Sequence, residues 1–73
     1  MAKDEMTPIR CDIVLAFADS RMSVGETAKR LYVDRKTVWY HLKVIRSITG
    51  KNPMNFFDLY DLVTMVKGAK NNE

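Results

Sequence analysis

Ser23-Val24-Gly25-Glu26-Thr27-Ala28-Lys29-Arg30-Leu31-Tyr32-Val33-Asp34-Arg35-Lys36-Thr37-Val38-Trp39-Tyr40-His41-Leu42-Lys43-Val44-Ile45-Arg46-Ser47-Ile48-Thr49-Gly50 is the stretch of this chain with the densest local signals. Ser23 followed three residues later by Glu26 is a capping box: the serine accepts the Glu26 backbone N–H and the glutamate returns a bond to Ser23. Val24, Thr27, Ala28 and Leu31 then recur at helical spacing. A helix of about nine residues is too short to persist alone, so packing must hold it. The chain breaks at Tyr32-Val33-Asp34, and Asp34 is a good N-cap for a third helix over about Arg35–Thr49. Val38, Leu42, Ile45 and Thr49 form one stripe of that helix. Lys36, Tyr40, Lys43 and Ser47 fall opposite, with Trp39 and Arg46 on a flank. Gly50 is placed to stop it.

Outward from this unit the chain stays helical. Toward the N-terminus, Thr7 is expected to cap a first helix with Pro8 at its first position. Ile9, Ile13, Ala16 and Phe17 share a face, Val14 borders it, and Leu15, Cys11 and Ala18 add apolar surface elsewhere. Asp19-Ser20-Arg21 should end that helix. Toward the C-terminus, Lys51-Asn52-Pro53-Met54 reads as a loop. Asn55 is expected to cap a fourth helix with Asp58 near its positive end and Phe56, Leu59, Tyr60, Val63 and Val66 as its apolar stripe. Phe57 and Met65 should point elsewhere. The predicted fold is all-α: four helices containing a helix-turn-helix. The domain is expected over 7–67, between a flexible N-terminus, 1–6, and a flexible tail, 68–73. No repeat or low-complexity segment occurs.

Composition narrows the function. With 73 residues the chain holds one small domain, which is marginal alone and gains from a partner. Hydrophobic residues at 47% and charged residues at 29% are ordinary for a globular protein. A single cysteine, Cys11, excludes an internal disulfide or a cysteine metal cluster and suits a reducing compartment. No apolar run is long enough to span a membrane and no secretion signal opens the chain, so a cytoplasmic location is expected. The net charge of +3 is unevenly placed. Residues 29–51 hold seven basic groups and one acid, whereas 1–28 and 52–73 are each net negative. Such a block suits a phosphate backbone, whose counterions are released on neutralisation; the plainer reading is a solvated basic face.

A short helix, a three-residue turn and a longer basic helix make the helix-turn-helix of DNA-binding proteins. Ala28 is small where the third helix crosses the second, and Leu31, Val33 and Val38 plug the angle between them. If the second helix braces on the duplex, the third enters the major groove. Lys36 and Tyr40 then face base edges, and Trp39 stacks on sugar or base or packs on a partner helix. Arg35 reads a base or a phosphate, with phosphate favoured. Lys43 and Arg46, further along, meet phosphates. Ser23 and Thr37 can donate hydroxyls to phosphates. Tyr32 stands where many such turns have glycine. Either the turn is of another type or Tyr32 is strained. His41, at the edge of the buried stripe, reads as a partly buried structural histidine, and Cys11 as a small core residue. No catalytic or metal site and no cofactor is expected, because no second His, Cys pair or carboxylate cluster completes one.

These residues resemble the C-terminal helix-turn-helix domain of PucR-type bacterial regulators, a family that includes purine-catabolism and sugar-diacid regulators. The resemblance rests on Glu26-Thr27-Ala28, Leu31, Arg35-x-Thr37-Val38-x-Tyr40-x-Leu42, Ile45 and Thr49-Gly50. It continues into Pro53 and Phe57-Asp58-Leu59, spanning about 9–66. The chain departs from the family's pattern at His41, usually Arg, and at Trp39, where a basic residue is common. The resemblance implies a sequence-specific double-stranded DNA-binding regulator, bacterial or phage, and strengthens the expectation of a homodimer. Family members carry this domain at the end of a long sensory chain. No sensory segment is present here, so no small-molecule effector site is expected. Two other functions fit the residues: a helix-turn-helix module that binds protein, and an architectural protein that binds DNA with little sequence preference.

Overall fold

The computed structural model describes residues 6–71. Within them the chain forms α1 (Pro8–Asp19), α2 (Val24–Leu31), α3 (Arg35–Thr49) and α4 (Phe56–Asn71), and no strand. The first five residues of the expected N-terminal segment lie outside the described residues, as do the last two of the tail. Met6 packs against the core, and α4 continues past residue 67 to Asn71.

The start of α2 has the expected serine cap, with Ser23 Oγ accepting the Glu26 N–H at 3.2 Å. The second half of the box is not formed: the Ser23 N–H donates to the Ser20 carbonyl at 3.1 Å, because the chain turns back on the end of α1 there. Asp34 caps α3 through the Thr37 N–H at 2.8 Å. Gly50 ends α3 at φ +75°, a left-handed conformation that suits a residue without Cβ, and donates to the Arg46 carbonyl. Asn55 Oδ1 accepts the N–H groups of Phe57 and Asp58 and so caps α4. Asp58 does more than favour the helix dipole, since its carboxylate accepts the Asn52 N–H and ties the preceding loop to α4.

Three expectations are corrected. Thr7 adopts N-cap backbone geometry, but its hydroxyl makes no capping bond and is buried without a partner. On α1 the buried set is Arg10, Ile13, Val14 and Phe17, with Ile9 exposed and Ala16 half-buried. On α4 the stripe is Leu59, Leu62 and Val66, with Val63 half-buried, while Phe56 and Tyr60 are exposed. Both helix errors have one cause. Apolar residues occupy several sides of α1 and α4, so more than one i, i+3, i+4, i+7 stripe fits the sequence. The neighbouring helices choose among them.

Helix α1 is the central strut: it packs against α2, α3 and α4, and α2 packs against α3. The core joins Ile13, Val14 and Phe17 with Ala28 of α2, with Val38, Leu42 and Ile45 of α3, and with the α4 stripe. Cys11 is half-buried against this core and is unpaired. Burying the inner stripe of α3 fixes the rotation of that helix about its axis and thereby decides which residues it presents to solvent.

Candidate nucleic-acid interface

The turn between α2 and α3 is closed by the Val33 N–H, which donates to the Ala28 carbonyl at 3.0 Å. Tyr32, at the end of α2, takes the left-handed conformation at φ 58° and ψ 42°. Its side chain is 94% exposed and contributes no packing to offset the cost. Of the two readings open for this position, strain at Tyr32 is therefore the one found. Ala28 is buried in the core shared with α1 and α3.

On α3, Val38, Leu42 and Ile45 face inward, and Lys36, Tyr40, Lys43 and Ser47 face solvent. Arg35, Trp39 and Arg46 are exposed on the flank. The Tyr40 ring meets His41 edge to face at 5.1 Å, which steadies an otherwise exposed aromatic. His41 itself is half-buried and accepts a hydrogen bond at Nδ1 from Arg10 Nε at 3.2 Å. Burial, and secondarily the Arg10 charge, push the His41 pKa below its ordinary value and favour the neutral ring.

The remaining residues singled out from sequence are distributed around this face. Thr37 is half-buried and its N–H donates to Asp34 Oδ1 at 2.8 Å; the Thr37 side chain and this N–H hold that carboxylate below its usual pKa. Ser23 uses its oxygen as an acceptor in the α2 cap, which leaves its proton to donate. Arg35 turns back from α3 toward the first turn of α2.

Trp39, Lys43 and Arg46 converge on a shallow notch of about 180 Å³, completed by Leu42 and the loop Asn52-Pro53-Met54. Sequence reasoning singled out the three α3 residues but not the loop. The one available signal was that Gly50 and Pro53 force a tight return after α3. Pro53 is buried, and Asn52 Oδ1 accepts the Met54 N–H, so the loop edge of the notch is fixed. A larger groove of about 480 Å³ opens at the α1–α4 junction, walled by Ala18, Met22, Phe56, Leu59, Tyr60 and Val63. It contains no residue of α3.

Among the described residues, no three His, Cys, Asp or Glu side chains gather to hold a metal, and no helix is long and apolar enough to cross a membrane. The family model of the PucR C-terminal helix-turn-helix domain matches residues 11–67, from the first turn of α1 through most of α4. No curated protein and no solved structure matches the chain.

Proposed function

The chain belongs to the PucR C-terminal helix-turn-helix family, and on that premise we propose that it is a sequence-specific double-stranded DNA-binding protein, a bacterial or phage transcriptional regulator acting in the cytoplasm. Helix α3 enters the major groove, and α2 braces on the backbone. The observation that carries this reading is the two-sidedness of α3: a fully buried stripe anchors it, while the opposite side offers Lys36, Tyr40 and Lys43 with no protein covering them. The excess of basic groups in residues 29–51 supports the same partner. Trp39, Lys43 and Arg46 contact a sugar–phosphate segment beside the groove, and Ser23 donates to a phosphate at the start of α2. The protein acts as a two-fold homodimer, with exposed Phe57 and Met65 of α4 at the contact.

A binding selection on random duplex DNA tests this, followed by affinity measurements across salt concentrations. The expected result is a defined site bound with an affinity that falls steeply as salt rises. Salt-sensitive binding with no preferred site would replace this reading with an architectural role. The absence of any DNA binding would leave the protein-binding module.

A further inference from the structure

Gly25 stands at the second position of α2, and its missing side chain leaves space that another residue uses. The three atoms nearest to where a Gly25 Cβ would stand all belong to the Arg35 guanidinium: Nη2 at 3.1 Å, with Cζ and Nε at 3.5 Å. The cation at the start of α3 therefore lies across the first turn of α2 instead of extending beyond α3. Arg35 is exposed and makes no hydrogen bond or ion pair among the described residues.

From this contact we infer that Gly25 is a positioning residue, whose bare Cα seats the Arg35 guanidinium on α2 and aims it at a DNA backbone phosphate rather than a base edge. The inference rests on the proposed DNA-binding function. In that arrangement the first helix of the motif crosses the backbone while the second enters the groove. A guanidinium lying on the first helix faces phosphate; one extended from the second helix would face bases. The guanidinium carries two donor edges suited to phosphate oxygens. At 3.1 Å, an added methyl would push Nη2 aside by a few tenths of an ångström. The displaced group is the tip of a flexible exposed side chain, so the fold need not adjust. Gly25 has no positive φ, so alanine suits its backbone, and alanine favours the helix over glycine.

The test is a double-mutant cycle on the full chain, bound to its selected duplex and to single-base variants of that duplex at several salt concentrations. Arg35→Ala should weaken all these duplexes alike, by about tenfold at 0.1 M salt, and lower the salt slope by about one. Gly25→Ala should lose part of the same affinity, roughly threefold, and Gly25→Val more, with melting temperatures no lower than the parent's. In the Arg35→Ala background both Gly25 substitutions should have no further effect. Equal losses with and without Arg35, no loss at all, or a loss that tracks a lowered melting temperature would each overturn the role of Gly25. A changed base preference in Arg35→Ala would overturn the phosphate assignment. If the parent binds no duplex, the DNA-binding function fails and this inference falls with it. If the parent binds and the cycle shows no coupling, only this inference fails.

Discussion

Arg10 Nε donates to His41 Nδ1 across 3.2 Å, linking α1 to α3 through residues 31 positions apart. Arg10 is only 6% exposed, an unusual depth for a guanidinium, and the bond requires the histidine nitrogen to be unprotonated. The inner side of the candidate DNA-binding helix thus rests on a polar contact as well as on Val38, Leu42 and Ile45.

The burial of His41, with the Arg10 charge beside it, should make folding pH-dependent. His41 is the single histidine of the chain, and its pKa is lowered in the fold by burial and then by the Arg10 charge. Below the ordinary histidine value of about 6.5, the unfolded chain takes up a proton that the folded one resists. Stability is therefore full above that value and declines as pH falls toward the lowered folded pKa. Urea unfolding between pH 5 and 8 should show this slope. His41→Gln, which keeps an acceptor for Arg10 but does not titrate, should flatten it. An unchanged slope in His41→Gln would remove His41 as its source.

Tyr32 offers a stabilising change. Its left-handed backbone is costly for a residue with a Cβ, and its exposed ring contributes nothing to the core. Tyr32→Gly should raise unfolding free energy by roughly 1 kcal/mol. Equal or lower stability in denaturant titration would mean that the ring makes an offsetting contribution.

Ala28 and Leu62 test the packing from opposite directions. Ala28 is buried in the core, so overpacking by Ala28→Leu should cost about 1–3 kcal/mol, a large share of what holds so small a domain, and abolish folding or DNA binding. Leu62 is 1% exposed, and Leu62→Ala should cost about 2–5 kcal/mol. Calorimetry on both variants decides. A parent-like melt for Ala28→Leu would mean that the core accommodates the larger side chain.

On DNA, Lys36 and Tyr40 should read and Lys43 should hold. Lys36→Ala or Tyr40→Ala should alter the preferred base at one position by roughly 1–3 kcal/mol. Lys43→Ala should weaken all sequences alike and lower the salt slope by about one. Titrations against a selected site and its single-base variants distinguish these roles. Unchanged affinity and preference in all three variants would remove α3 as the reading element.

Phe57 is 75% exposed on α4, so Phe57→Ser should leave the folded chain's melting nearly unchanged, within about 0.5 kcal/mol. It should, however, weaken the binding of two chains to one palindromic duplex, whose half-sites lie about one helical turn apart. Leu15, whose side chain adds apolar surface on α1, is half-buried against the core and is the weaker candidate for this contact. Sedimentation of parent and variant with the duplex measures this. A strict 1:1 complex of the parent on the full site would count against the dimer.

The helix-turn-helix was legible in the sequence because its signals are local. Ser23, Asp34 and Gly50 act on backbone groups within four residues of themselves. α3 alternates apolar and basic sides clearly enough that only one rotation buries Val38, Leu42 and Ile45. Its outward residues followed from that rotation. The tertiary structure decided what local chemistry leaves degenerate. α1 and α4 carry apolar residues on several sides, so their inner faces were set by the helices packed against them, burying Arg10 and Leu62 and leaving Ile9, Phe56 and Tyr60 exposed. The missing half of the Ser23 box, the Arg10–His41 bond, the seat of Arg35 on Gly25 and the loop edge of the Trp39 notch all depend on residues brought together by the fold. A periodicity of 3.6 orders residues around one helix axis but holds no information about which residue of another helix will stand opposite.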